Sequence, residues 1–139
     1  MHDTGRQAGI IFSEKRRVVN TMNAHRLMEW CNTTQPELAD SLMENLFSAY
    51  FEEGLDVSKF ETLIEICRKV EGLDMEAAKT ALETTELFSD EVIEKDNKAK
   101  RGLRVSGVPF FIIENQNGGR PITFSGAQVI FIKLGSVPF

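Results

Sequence analysis

A chain of 139 residues is one domain's worth of polypeptide, long enough to bury a core without disulfides or metals. Its hydrophobic share of 42% and charged share of 27% are those of a soluble globular protein. A formal charge of −5 offers no basic stripe to neutralise phosphates, which argues against nucleic acid as a partner; no apolar run reaches the roughly 18–20 residues of a membrane span, and no signal peptide opens the chain, so a cytoplasmic protein is expected.

The opening seven residues are polar, and residues 9–12 read as a short strand. Lys15, Arg16 and Arg17 form a charge run that reads as a solvated loop. Residues 20–105 then read as helix after helix. Ala24, Leu27, Met28 and Cys31 keep an i, i+3, i+4, i+7 stripe that ends at the polar Asn32, Thr33, Thr34 and Gln35. Pro36 suits a first helical turn, where its missing N–H costs nothing. Leu38, Leu42, Met43, Leu46, Phe47 and Tyr50 carry the next helix to a stop at Gly54. Ser58 with Glu61 predicts a capping box for a third helix, whose buried face is Phe60, Leu63, Ile64, Cys67 and Val70. Gly72 ends it, Asp74 caps an Ala-rich fourth helix, and Ser89 opens a fifth with acidic residues early and basic residues late, as the macrodipole favours.

From position 106 the period changes. Phe110 to Glu114 reads as a strand with Pro109 at its entrance, where a missing ladder donor is tolerated. Asn117, Gly118 and Gly119 read as a hairpin turn, Ile122 to Ser125 as the returning strand, and Gly126 breaks it before a last apolar segment around Val129, Ile130, Phe131 and Ile132. The apolar run at 110–113 lacks polar alternation and predicts a strand covered on both faces. A lone hairpin is marginal in water, so this sheet calls for more strands than the sequence supplies. Either another chain provides them or an N-terminal portion is missing.

The two cysteines, Cys31 and Cys67, form no C-x-x-C pair, and each falls on the apolar side of a predicted helix, as buried thiols do. With His2 and His25 the only histidines, no metal site of usual ligand spacing is expected.

Several motifs stand in a fixed order. They are Gly9, Ile10, Ile11 and Phe12; Asn20 and Thr21; Ala24, His25, Arg26 and Leu27; the 47–54 run Phe-Ser-Ala-Tyr-Phe-Glu-Glu-Gly; Gly72, Leu73 and Asp74; the 106–111 run Ser-Gly-Val-Pro-Phe-Phe; and Phe124, Ser125, Gly126, Ala127 and Gln128. Together they resemble DsbA-family proteins of the FrnE type over nearly the whole chain. The resemblance implies an α/β, thioredoxin-like fold, here incomplete. Residues 1–105 would be a helical insertion domain of five helices, and residues 106–139 the C-terminal ββα part. It also implies thiol–disulfide oxidoreductase chemistry, with kappa-class glutathione transferases and 2-hydroxychromene-2-carboxylate isomerases as relatives.

Carried over by residue, Pro109 would be the family's cis-proline. Val108, following Gly107, would pair its main chain with a substrate peptide or glutathione. Ser125, Gly126 and Gln128 would open the last helix, where free N–H groups favour an anion such as a glutathione carboxylate. Asn20 and His25 would face the active-site cleft, although a helix histidine bonded to a neighbouring carbonyl explains His25 equally well.

The departures weigh more. The family's C-x-x-C, or the serine of the glutathione-using branch, sits in a preceding βαβ half. The chain therefore reads as starting inside the insertion, with no catalytic residue and no metal of its own. After Gln128 the family continues with proline and an amphipathic helix, which the apolar tail here does not. The leading expectation is the C-terminal portion of a FrnE-like disulfide oxidoreductase, not itself dithiol-active. The alternatives are a redox-inactive peptide-binding or interaction module, and a glutathione-using transferase or isomerase relative. Expected partners are a thiol- or disulfide-bearing polypeptide or glutathione, and another chain where one completes the sheet. No cofactor is expected beyond glutathione, the one small molecule the resemblance brings in.

Overall fold

The spacing of apolar residues between positions 24 and 82 decides most of this fold. The computed structural model describes residues 2–103, 105, 107–114 and 121–126, and the chain divides into two compact units, Met1–Glu94 and Lys95–Phe139.

In the first unit, α1 (His2–Gln7) ends in a Schellman-type closure: Ile10 N–H donates to Gly5 O at 2.8 Å and Gly9 N–H to Arg6 O at 3.1 Å, with Gly9 at φ +79°. The strand expected at residues 9–12 is therefore absent. That segment closes a helix instead, and Ser13 N–H goes to Phe51 O at 2.8 Å rather than to a ladder. The next helix, α2 (Met22–Thr34), buries Leu27, Met28, Trp30 and Cys31. It runs three residues past Cys31, where polarity predicted a loop. The Thr33 and Thr34 hydroxyls donate to the carbonyls of Glu29 and Trp30, both at 2.8 Å, so these side chains back-bond within the helix.

Pro36 opens a 3-10 turn, Pro36–Leu38, which leads into α3 (Ala39–Phe47) and then a π-helical turn, Ser48–Glu52. Gly54 follows at φ +71°, and a Cβ there would lie 2.5 Å from Ser13 Oγ, so both conformation and space demand glycine.

The helix α4 (Phe60–Arg68) lacks the expected capping box. Ser58 instead gives its N–H and hydroxyl to Asp56 Oδ1, at 3.0 and 2.5 Å, because the aspartate two residues back is the nearer acceptor. Asp74 does cap α5 (Met75–Glu83), accepting Ala77 N–H at 3.0 Å.

The four helices α2 to α5 enclose one core, in which Leu27, Cys31, Leu42, Ala49, Leu63 and Cys67 are fully buried. Arg26 is buried with them, and its guanidinium donates to the carbonyls of Ala81, Thr84 and Leu87 and to Asn23 Oδ1. The helix α6 (Ser89–Asn97) and the π-helical turn Lys98–Gly102 bury no residue. Among the described residues, no helix is long and apolar enough to cross a membrane.

In the second unit, β1 (Phe110–Ile113) pairs antiparallel with β2 (Ile122–Ser125), Phe110 opposite Ser125 and Ile113 opposite Ile122. Phe111 and Phe124 face each other and stack at 4.8 Å. The expected coverage on both faces is not found: Phe111, Ile112 and Ile113 are 43%, 42% and 46% exposed. Two strands form this sheet among the described residues, so no neighbour flanks β1 on its other edge. The predicted hairpin turn at 117–119, Gln128 and the apolar tail lie outside the described residues.

Candidate functional site

The turn into β1 gathers five of the eight residues singled out from the sequence. Gly107 and Val108 precede Pro109, the Val108–Pro109 peptide is cis, and Val108 is 85% exposed although apolar. From the far end of β2, Gly126 N–H donates to Pro109 O at 2.8 Å, which fixes the entrance of one strand to the exit of the other. Gly126 takes φ +92° with open space around it, so the requirement is conformational rather than steric. Ser125 sits one residue earlier, paired with Phe110. The Val108 main chain makes no hydrogen bond among the described residues.

Asn20 and His25 belong to the first unit. Asn20 Oδ1 accepts Met22 N–H at 2.9 Å, turning the chain into α2. His25 is exposed, and its imidazole bonds no carbonyl among the described residues; it edges an apolar groove of about 180 Å³ with Met28, Met43, Phe47 and Tyr50. The groove was invisible to sequence reading because its walls come from two helical stretches, each of which reads by period as an ordinary core face.

Neither thiol is placed for chemistry. Cys31 and Cys67 are both free and fully buried, and the Cys31 S–H contacts Gln35 O at 3.5 Å. Burial pushes Cys67 from 9.0 up to about 12, with the field of Cys31 adding to it. Burial also raises Cys31, helped by Glu37. A protonated thiol is a poor nucleophile, so both are expected to resist alkylation in the folded protein.

The same shift has a signed consequence for stability. Below pH 9 both states keep the Cys67 proton. Between about 9 and 12 the unfolded chain loses it first, so the folded state is disfavoured by about 1 kcal/mol per pH unit. Urea unfolding from pH 8 to 11 should show this slope, and Cys67→Ala should flatten it by that amount. Equal slopes in the two proteins would refute the burial account. Among the described residues, no group of three or more His, Cys, Asp or Glu is placed to hold a metal.

The sequence profile of the DSBA-like thioredoxin domain matches residues 1–132. This chain belongs to the DSBA-like thioredoxin domain family. The fold of this DSBA-like chain is also that of a probable DsbA oxidoreductase from Streptomyces coelicolor, whose crystal structure superposes with a TM-score of 0.75 at 23% identity. The match covers 91% of the DSBA-like chain and 51% of the other, so the chain spans about half the length of that structure. None of the curated proteins matches the sequence. The thioredoxin-type fold with a helical insertion, expected from the ordered motifs, is the fold this DSBA-like chain has, with six α-helices and a two-stranded sheet among the described residues.

Proposed function

We propose that this chain supplies the substrate-holding portion of a FrnE-like thiol–disulfide oxidoreductase and carries no redox-active dithiol itself. In this reading residues 1–105 are the helical insertion and residues 106–139 the C-terminal ββα part. The observation that carries it is the Val108–Pro109 turn. Val108 is exposed, its neighbour Pro109 is pinned by Gly126, and its N–H and C=O, unpaired among the described residues, could pair with an extended peptide, as in strand addition. The two thiols support the second half of the proposal, since both are sealed in the core and held protonated. A polypeptide bearing a thiol or disulfide, or glutathione, would lie along residues 107–109, with Ser125 and Gly126 beside it.

The test is fluorescence anisotropy with a labelled, cysteine-containing peptide, run beside insulin reduction by dithiothreitol. Binding should weaken about tenfold or more in Val108→Pro, which loses the donor, while far-UV dichroism stays unchanged. The chain alone should not accelerate insulin reduction. Acceleration that disappears in Cys31→Ala or Cys67→Ala would overturn the proposal, as would equal peptide binding by Val108→Pro. The exposed apolar faces of β1 favour a second reading, an interaction module that pairs its sheet edge with another chain. That reading predicts a concentration-dependent dimer or heteromer that Ile112→Lys disperses.

A further inference from the structure

The first unit holds a second recess, of about 500 Å³, between the loop at residues 14–19 and the loop at residues 54–59. Lys15, Arg16, Arg17 and Lys59 line it against the carboxylates of Glu14 and Asp56, four positive charges to two negative in a chain whose net charge is −5. Two cations elsewhere are paired at the surface: Lys69 meets Glu53 at 2.9 Å and Lys100 meets Asp96 at 2.7 Å. The Lys15 and Arg17 side chains have no hydrogen bond or ion pair among the described residues, and Lys59 acts on Asp56 only through its field. The Asp56 carboxylate is already held by Ser58, which draws its pKa below the ordinary value.

The walls of the recess are fixed in place. Ser13 N–H bonds Phe51 O at 2.8 Å, and the Tyr50 hydroxyl donates to Arg17 O at 3.0 Å. Gly54 approaches Ser13 too closely for any other residue. The Arg16 guanidinium lies over Tyr50 and Phe51, 5.6 and 5.2 Å from their ring centroids, which anchors the middle of the basic run. Lys59 also stands at the N-terminal end of α4, where a cation is unfavourable and an anion is favoured.

We propose that this recess binds a small organic anion carrying two phosphate groups, with Lys15, Arg17 and Lys59 as its ligands. Its volume is that of a small-molecule site, and Val19 and Leu55 give the ligand an apolar wall. Arginine suits bidentate contact with a phosphate, and the lysines act as point charges beside it. The proposal is independent of thiol exchange, since the recess contains no cysteine and none of residues 107–126.

Inorganic pyrophosphate is the probe, titrated into the full chain at low salt by calorimetry and by amide chemical shifts. One saturable site is expected, with the amides of residues 14–19 and 54–59 shifting most. Lys15→Ala with Arg17→Ala should weaken binding about tenfold or more, whereas Lys98→Ala with Arg101→Ala should leave it unchanged. Equal weakening in both double variants, or shifts spread evenly over every basic residue, would mean nonspecific charge attraction and overturn the proposal. Absence of saturable binding would overturn it too. The shift map needs no variant, so poor folding of a mutant leaves the test intact.

Discussion

Arg26→Met is expected to destabilise the protein by about 2–4 kcal/mol, because it leaves one buried and two partly buried carbonyls without their donor. The residue is 2% exposed, and no carboxylate bonds its guanidinium. Its donors go to backbone: Nε to Leu87 O at 2.8 Å, and Nη2 to Ala81 O at 2.8 Å and to Thr84 O. These carbonyls lie at and just past the C-terminal end of α5, where four orphan acceptors and a partial negative charge favour a cation. One side chain from α2 thus caps a helix 55 residues further along the chain. Burial draws its pKa below the ordinary arginine value. Methionine fills similar volume but leaves these acceptors unpartnered. Arg26→Lys keeps the charge without the planar fork and should fall between. Urea unfolding gives the number, and a loss under about 1 kcal/mol would show that water replaces the guanidinium at no great cost.

The second large effect contrasts the helical core with the sheet. Leu42→Ala should cost about 2–5 kcal/mol, because Leu42 is fully buried on α3 where that helix packs against α2 and α4 and its neighbours cannot fully collapse onto the void. Ile112→Ala, on a strand position 42% exposed, should cost about 0.5 kcal/mol or less. Guanidinium melts of the two variants settle the order. If Ile112→Ala proves the worse, the strand is part of the stabilising core after all.

That contrast marks where sequence reading succeeds. Periodicity located the buried faces of α2 to α5 because each helix meets its neighbours locally, so a stripe such as Leu27, Met28 and Cys31 translates directly into packing. Asp74 was legible for the same reason: a cap is decided within four residues. Three features were not legible, the first two because a local competitor won. Residues 9–12 have the composition of a strand, but the left-handed Gly9 spends them on closing α1. Ser58 and Glu61 have capping-box spacing, but Asp56 competes for the serine. Phe110 to Ile113 read as covered on both faces, and composition cannot report whether the covering layers are present. Of the candidate site, the turn at 107–109 was legible through its proline and glycine. Its tie to Gly126 was not, because that hydrogen bond joins residues 17 positions apart. Arg26 was legible only as a letter in a motif, since its partners are assembled by the fold.

Every buried apolar side chain described here falls between Leu27 and Leu82, while the turn at Val108 and the strands after it are largely open. The buried apolar core and the turn proposed to hold a peptide therefore lie in different stretches of the sequence. Most substitutions are purged because they drop a protein below its stability threshold, and such losses concentrate in cores. Residues 107–114 and 121–126 add little to that core, so on the proposed function selection on them would act through what they bind rather than through the stability of the helices, a division that lets one scaffold be retuned without being rebuilt.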